Sequence, residues 1–347
     1  MSQSFDPDAA AAPGSGLFGL STPAEQCQIQ ILAVPFDATT SYRPGTRRGP
    51  RAVYSASHQI DLFDRQFGRP YQAGIAWHTD VRFKKWNREA RKLTEPIIEM
   101  GGHVDPADTE ASAALARIEE LGERVNDAVR LFAQRALTQG RIPTILGGDH
   151  SVPLGAMQAC AAAYPGLGIL PHIDAHADLR VAFEGFRYSH ASILHNVLES
   201  APGVSRLVQI GLRDVGEREI ERIQSDDRIL AIFDDQWSAA RLDGSALRSL
   251  IQNAVQQLPD HLRHLRRRWP RSVAVPRHRH PVPGGLLWGE ALALLGALAE
   301  AGKQVVGFDL CEVSPGAVAD PEGNGWDAIV GARLLYKLCG LSLQNRR

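Results

Sequence analysis

The sequence predicts an α/β domain of three layers, a mostly parallel sheet with helices on both faces, and two observations carry that prediction. Short β-branched runs alternate with longer stretches of helical periodicity, and strands separated by helices pair in parallel. The runs are also too uniformly apolar to have a wet face, so the sheet they build is covered on both sides. In chain order the strand candidates are 28–36 (QIQILAVPF), 141–146 (RIPTIL), 167–173 (LGILPHI), 206–212 (RLVQIGL), 228–233 (RILAIF) and 304–310 (QVVGFDL). Helical text occupies 110–139, the small-residue stretch after Ser151, and then 216–224, 244–257, 286–301 and 326–339. Residues 1–25 are rich in Gly, Pro, Ser and Ala without any period and read as a flexible arm. From 26 to 347 no linker-like shift of composition occurs, so a single domain is expected there.

Composition narrows the function. With 347 residues, 44% of them apolar and 22% charged, the chain can bury a sizeable core. Thirty-eight basic residues against 39 acidic ones leave a net charge of −1, which argues against nucleic acid or an anionic membrane as partner. Cys27, Cys160, Cys311 and Cys339 form no close pair, so neither a disulfide framework nor a zinc ribbon is expected, and a reducing cytoplasm fits best. No run reaches the roughly 18 to 20 apolar residues of a membrane span, and no basic flank precedes an apolar signal core.

In open parallel sheets ligands bind beyond the carboxyl ends of the strands, so the residues that follow each strand matter most. RIPTIL runs into Gly147, Gly148, Asp149, His150 and Ser151; LGILPHI runs into Asp174, Ala175, His176, Ala177 and Asp178; QVVGFDL leads to Glu312. In an extended Asp-x-His-x-Asp the three polar side chains share one face and present two carboxylates and an imidazole to one point. Mixed carboxylate and imidazole donors without thiolate suit manganese, with zinc, iron, cobalt and nickel as alternatives. Two cations about 3.5–4 Å apart can share a carboxylate and a hydroxide. A lone histidine after a strand is more often a hydrogen-bonded core residue, and Glu312 alone reads equally well as a structural carboxylate paired with arginine. Clustering on neighbouring strand ends favours the metal site.

These motifs resemble the ureohydrolases, the family of arginase, agmatinase and related guanidino and formimino hydrolases. The resemblance rests on GGDHS at 147–151, DAHAD at 174–178, YSHAS at 188–192 and EVSP at 312–315. SYRPGTRRGPRA at 41–52, PVPGG at 281–285 and GARLLYKL at 331–338 support it, in the family's order. It implies an arginase-like fold with two Mn2+ ions per subunit, or Ni2+ or another divalent ion, and a bridging hydroxide that attacks a guanidinium carbon to release urea and an amine. By carry-over His150, Asp174 and Asp178 ligate one ion, and His176 with the bridging Asp174 the other. His190 resembles the proton shuttle and stands with Asp178 as a catalytic candidate; a helix-capping role is its plainer alternative. Glu312 resembles the carboxylate that grips the guanidinium. Arg180 is a candidate for binding a substrate carboxylate, or simply a surface arginine. Agmatine is the first substrate expected; arginine, guanidino acids and formiminoglutamate remain open. The resemblance further implies a small-molecule substrate and a homo-oligomer, a trimer or hexamer.

One segment departs from the family. Before PVPGG a Ser-Phe-Asp-x-Asp-x-x-Asp-Pro pattern is expected, whose first two aspartates complete the metal site. Residues 260–280 instead read DHLRHLRRRWPRSVAVPRHRH, with seven arginines, and the expected ligand positions hold Arg266 and Arg268. Cations there oppose a metal's charge, so a dinuclear centre is expected to be crippled, leaving an inactive homologue as the alternative function. The genetic code suggests an origin. Back-translated as CGA CGT CGA TGG CCT CGA TCC and read from the second base, Arg266 to Ser272 gives Asp-Val-Asp-Gly-Leu-Asp and the start of a proline codon. Arg277 to His280 likewise permits Gly-Thr-Gly-Thr. Two compensating single-base shifts, near Asp260 and near His280, account for the pattern; resequencing the DNA decides it. Without the seven arginines and with three aspartates the chain has 31 basic and 42 acidic residues, a net charge of −11. Read literally, the basic run with its tryptophan suits nucleic acid, but it conflicts with the strand that the surrounding design calls for.

Overall fold

Strand β1 (Ile29–Val34) shows why the sheet is covered on both sides: Ile29 and Ile31 join one hydrophobic cluster while Leu32 and Val34 join another across the sheet. Alternation with apolar residues at both parities has that consequence. The computed structural model describes residues 5–263, 266–267, 282–315 and 325–346. After β1 come α1 (Gly49–Ser57), β2 (Ile75–Thr79), α2 (Val81–Glu99), α3 (Thr109–Thr138), β3 (Ile142–Gly147), α4 (Leu154–Ala163) and β4 (Leu167–Ile173). The chain continues through α5 (Ile193–Ser200), β5 (Val204–Leu212), α6 (Glu217–Ser225), β6 (Ile229–Phe233), α7 (Asp234–Leu242) and α8 (Ser245–Gln256). It closes with β7 (His261–Arg263), β8 (Arg266–Arg267), α9 (Trp288–Glu300), β9 (Gln304–Leu310) and α10 (Trp326–Ser342).

The strands run β2-β1-β3-β9-β7-β4-β5-β6, every pairing among them parallel, and β8 continues the pairing with β4. The predicted three-layer α/β class is therefore the observed one. Residues of α1, α7, α8, α9 and α10 cluster against one face through Val53, Trp237, Ile251, Leu294 and Leu335. Residues of α3, α4 and α5 cover the other through Val125, Met157 and Val197. Each such side chain, taken fully out of water, contributes about 1.5–3 kcal/mol. The long helices begin on side-chain caps: Asp80 accepts from the Arg82 N–H, and Asp108 from those of Glu110 and Ala111.

Two differences from the sequence reading matter. The stretch read as a flexible arm docks by its second half: Leu17, Phe18 and Leu20 are buried, and the Phe18 ring meets Tyr336 edge-on at 4.9 Å. Its apolar residues are too few to show a period, yet enough to fill the gap beside α1 and α10. The central strand beside β9 is also, among the described residues, in two pieces, β7 of three residues and β8 of two. Arg268 and most of the basic run lie outside the described residues.

Candidate active site

The site is built on the carboxyl ends of β3, β4 and β9. At the end of β3 the chain turns so tightly that a Cβ on Gly148 would lie 2.0 Å from the Phe36 carbonyl oxygen, so only glycine fits. The Glu312 N–H donates to the Gly148 carbonyl at 2.6 Å, which joins the turn after β9 to the turn after β3. Asp149 is used internally, its carboxylate accepting from the Ser151 N–H (3.0 Å), the Ser151 hydroxyl (2.6 Å) and the Thr40 hydroxyl (3.3 Å). That closes a small Asx turn and leaves His150 to face the loop that follows β4.

His150 is fully buried, and its Nδ1 lies 2.7 Å from Oδ2 of Asp178, which is 1% exposed. The two strand-end motifs thus meet side chain to side chain. On the other flank, Asp174 Oδ1 accepts the His176 N–H at 3.0 Å and stands 3.5 Å from His176 Nδ1. The expectation that Asp174, His176 and Asp178 share one extended face needs correction. β4 ends at Ile173, and Asp178 takes a left-handed backbone with φ 54°, which breaks the alternation and turns its carboxylate to His150 instead. Glu312 is likewise left-handed, with φ 62°, and buried. Non-glycine residues held this way cost about 1–3 kcal/mol and cluster at functional sites.

His190 is buried and meets the Phe183 ring nearly perpendicularly at 5.7 Å. Arg180 sets its guanidinium 5.2 Å from the centroid of the same Phe183 ring and pairs with Glu219 at 3.5 Å. Sequence reasoning missed Phe183, Glu219 and Asp214. Asp214 was within reach of the strand-end rule, since it follows β5, and its Oδ2 lies 3.2 Å from His176 Nε2.

Asp149, Asp174, Asp178, Asp309 and Glu312 are all at most 3% exposed, and two of them, Asp178 and Asp174, stand against the imidazoles of His150 and His176. So many carboxylates in a dry interior call for positive charge, and two imidazole–carboxylate pairs are donors suited to divalent ions. The residues fit such ions in kind. They do not form a ready cage: among the described residues no group of three or more His, Cys, Asp or Glu side chains converges to hold one. Among those residues, too, no helix is long and apolar enough to cross a membrane.

Known proteins agree with this architecture. The arginase family model matches residues 27–262 and 275–340, and the interval it skips contains Arg266 and Arg268. The N(1)-aminopropylagmatine ureohydrolase of Thermus thermophilus is 30% identical over 332 residues, covering 92% of each chain. The agmatinase of Bacillus anthracis is 27% identical, covering 84% of this chain and 85% of its own. A Trypanosoma cruzi formiminoglutamase solved with Mn2+ superimposes with a TM-score of 0.68 at 17% identity, covering 94% of this chain and 97% of its own. The chain belongs to the arginase family, as one of its agmatinase-like ureohydrolases.

Proposed function

We propose that the chain is built as a metal-dependent amidinohydrolase that splits a linear guanidino compound of the agmatine type into urea and an amine. The 2.7 Å contact of His150 with Asp178 carries this reading, because it joins the motifs after β3 and β4 beside the Asp174–His176 pair. His150, Asp174, His176 and Asp178 would hold the divalent ions, Mn2+ first and Ni2+ as the alternative. Bound there, such ions supply a hydroxide at neutral pH.

The remaining chemistry belongs to side chains. The Glu312 carboxylate takes the planar guanidinium as a bidentate partner. Attack on the guanidinium carbon gives a tetrahedral species, and the carbon–nitrogen bond to the substrate's tail then breaks. His190 delivers the proton that lets the amine depart, a step suited to imidazole at neutral pH. Arg180 already faces Glu219 and Phe183, which favours a tail without a carboxylate. The names of the Thermus and Bacillus relatives point the same way, toward an agmatine skeleton.

A second reading, an inactive homologue, is supported by the strand register. β8 pairs Arg266 with His172 and Arg267 with Ile173, which sets this basic run level with the end of β4, next to Asp174. Metal content and product release separate the two. About two ions per chain, with urea released from agmatine, are expected of the enzyme. One weak ion or none, with no urea from agmatine, arginine or guanidinobutyrate and no formamide from formiminoglutamate, establishes the inactive homologue.

A further inference from the structure

The turn that follows β5 brings a fifth side chain to the edge of the site. Arg213 and Asp214 both donate backbone N–H groups to the Ala175 carbonyl, at 2.9 and 3.0 Å, so this turn is pinned to the residue between Asp174 and His176. From the other side the Arg213 guanidinium donates to the carbonyls of Gly211 (2.7 Å) and Val282 (3.2 Å). On that anchored backbone Asp214 Oδ2 reaches His176 Nε2 at 3.2 Å, while Nδ1 of the same ring stands 3.5 Å from Asp174 Oδ1. The imidazole therefore spans an outer carboxylate, 64% exposed, and an inner one that is fully shielded.

We propose that Asp214 is a positioning residue for His176 as a cation ligand. It accepts the Nε2–H, which fixes the tautomer in which the Nδ1 lone pair faces inward, and it holds the ring plane toward Asp174. A carboxylate on the distal nitrogen of a ligating histidine raises that ligand's basicity and removes the rotation it would otherwise lose on binding. The anchored backbone makes this a built contact: the two N–H bonds to Ala175 keep the Asp214 Cα beside His176, so the carboxylate has only its own side-chain rotation to lose. The inference rests on the reading of the site as cation-binding.

The test is a calorimetric titration of the full chain with Mn2+ and with Co2+, for the parent protein, Asp214→Leu, His176→Ala and the double variant. Asp214→Leu is expected to weaken binding about 10-fold, with the unfolding midpoint of the cation-free protein unchanged. In the His176→Ala background the same substitution is expected to cost nothing more, because its effect passes through the ring. Unchanged affinity in Asp214→Leu overturns the proposal, and so does an equal loss in both backgrounds, which would mark a through-space charge effect. A parent chain that binds neither ion overturns the reading of the site itself and the role of Asp214 with it, so the two failures are told apart.

Discussion

The two sides of the sheet's centre are built to different standards. On the β3–β4 side every turn is locked: Gly148 lies against Phe36, Asp149 closes on Ser151 and Thr40, and His150 meets Asp178. On the β7–β8 side the described residues of the strand between β9 and β4 are three and then two, within the same parallel frame. The central strand still packs into the frame through Leu262, which is fully buried in the core. β9 and β4 pair on their outer sides with β3 and β5 and on their inner sides with β7, so the parallel frame accommodates the basic pair Arg266 and Arg267 at the strand position. Fold and chemistry have separable requirements here.

The largest effect is expected from repairing the weaker side. Replacing residues 261–280 with the recovered reading, Asp at 266, 268 and 271 and glycine at 269 included, supplies two carboxylates where cations now stand. Bound manganese should rise toward two ions per chain, and urea release from agmatine by more than about 100-fold, since even outer-shell changes at metal sites reach that size. Metal analysis and a urea assay check it; no gain in manganese would show that the difference between the two sides is not one of ligands. Arg266→Asp with Arg268→Asp alone is expected to do less, because the flanking residues remain those of the basic sequence.

The stronger side is tested by overfilling it. Gly148→Ala puts a methyl group 2.0 Å from a backbone oxygen, and backbone cannot swing away as a side chain can. A loss of about 3 kcal/mol is expected in chemical unfolding. The matching change on the other side, Gly289→Ala in the first turn of α9, meets nothing within 4 Å and should stabilise by up to about 1 kcal/mol. Equal effects from the two alanines would mean that the turn after β3 is not a tight one.

How much of this was legible beforehand follows the same division. The strands after which chemistry appears were readable because a buried parallel strand is a run of apolar residues that needs no partner to be recognised. Thus 167–173 and 304–310 coincide with β4 and β9 to the residue. Helix α2 escaped because its apolar residues Phe83, Ala90 and Ile97 are diluted by Lys and Arg on its wet face. Within the site, His150, Asp174, His176, Asp178, His190 and Glu312 were marked by motif and position. Which donor meets which was not legible, since the pairing of His150 with Asp178 depends on a left-handed residue at a position where sequence shows only Asp. Asp214 follows β5 and was open to the strand-end rule, but its partner His176 lies 38 residues away in sequence, and the ring contacts of Phe183 with Arg180 and His190 carry no motif.

The smallest effect concerns the flank that follows the basic run, which side chains of α7 and α9 hold in place. Glu290 accepts from the Leu287 N–H (2.8 Å) and the Trp237 indole (3.0 Å), while Arg241 bridges Glu290 to the Gly285 carbonyl (2.8 Å). Burial alone would raise the Glu290 pKa, but the hydrogen bonds from Arg241, Trp237 and Leu287 outweigh it and lower the carboxyl below its ordinary 4.5. A carboxyl depressed on folding stabilises the protein above its unfolded pKa and loses that contribution as pH falls through the folded value. Glu290→Gln should therefore cost about 1 kcal/mol at pH 7. The difference between parent and variant should shrink below about pH 4.5 and vanish in stronger acid. Denaturant titrations of both proteins across that range measure it, and a difference that stays constant with pH would mean that the charge on Glu290 takes no part in holding the 282–287 turn against α7.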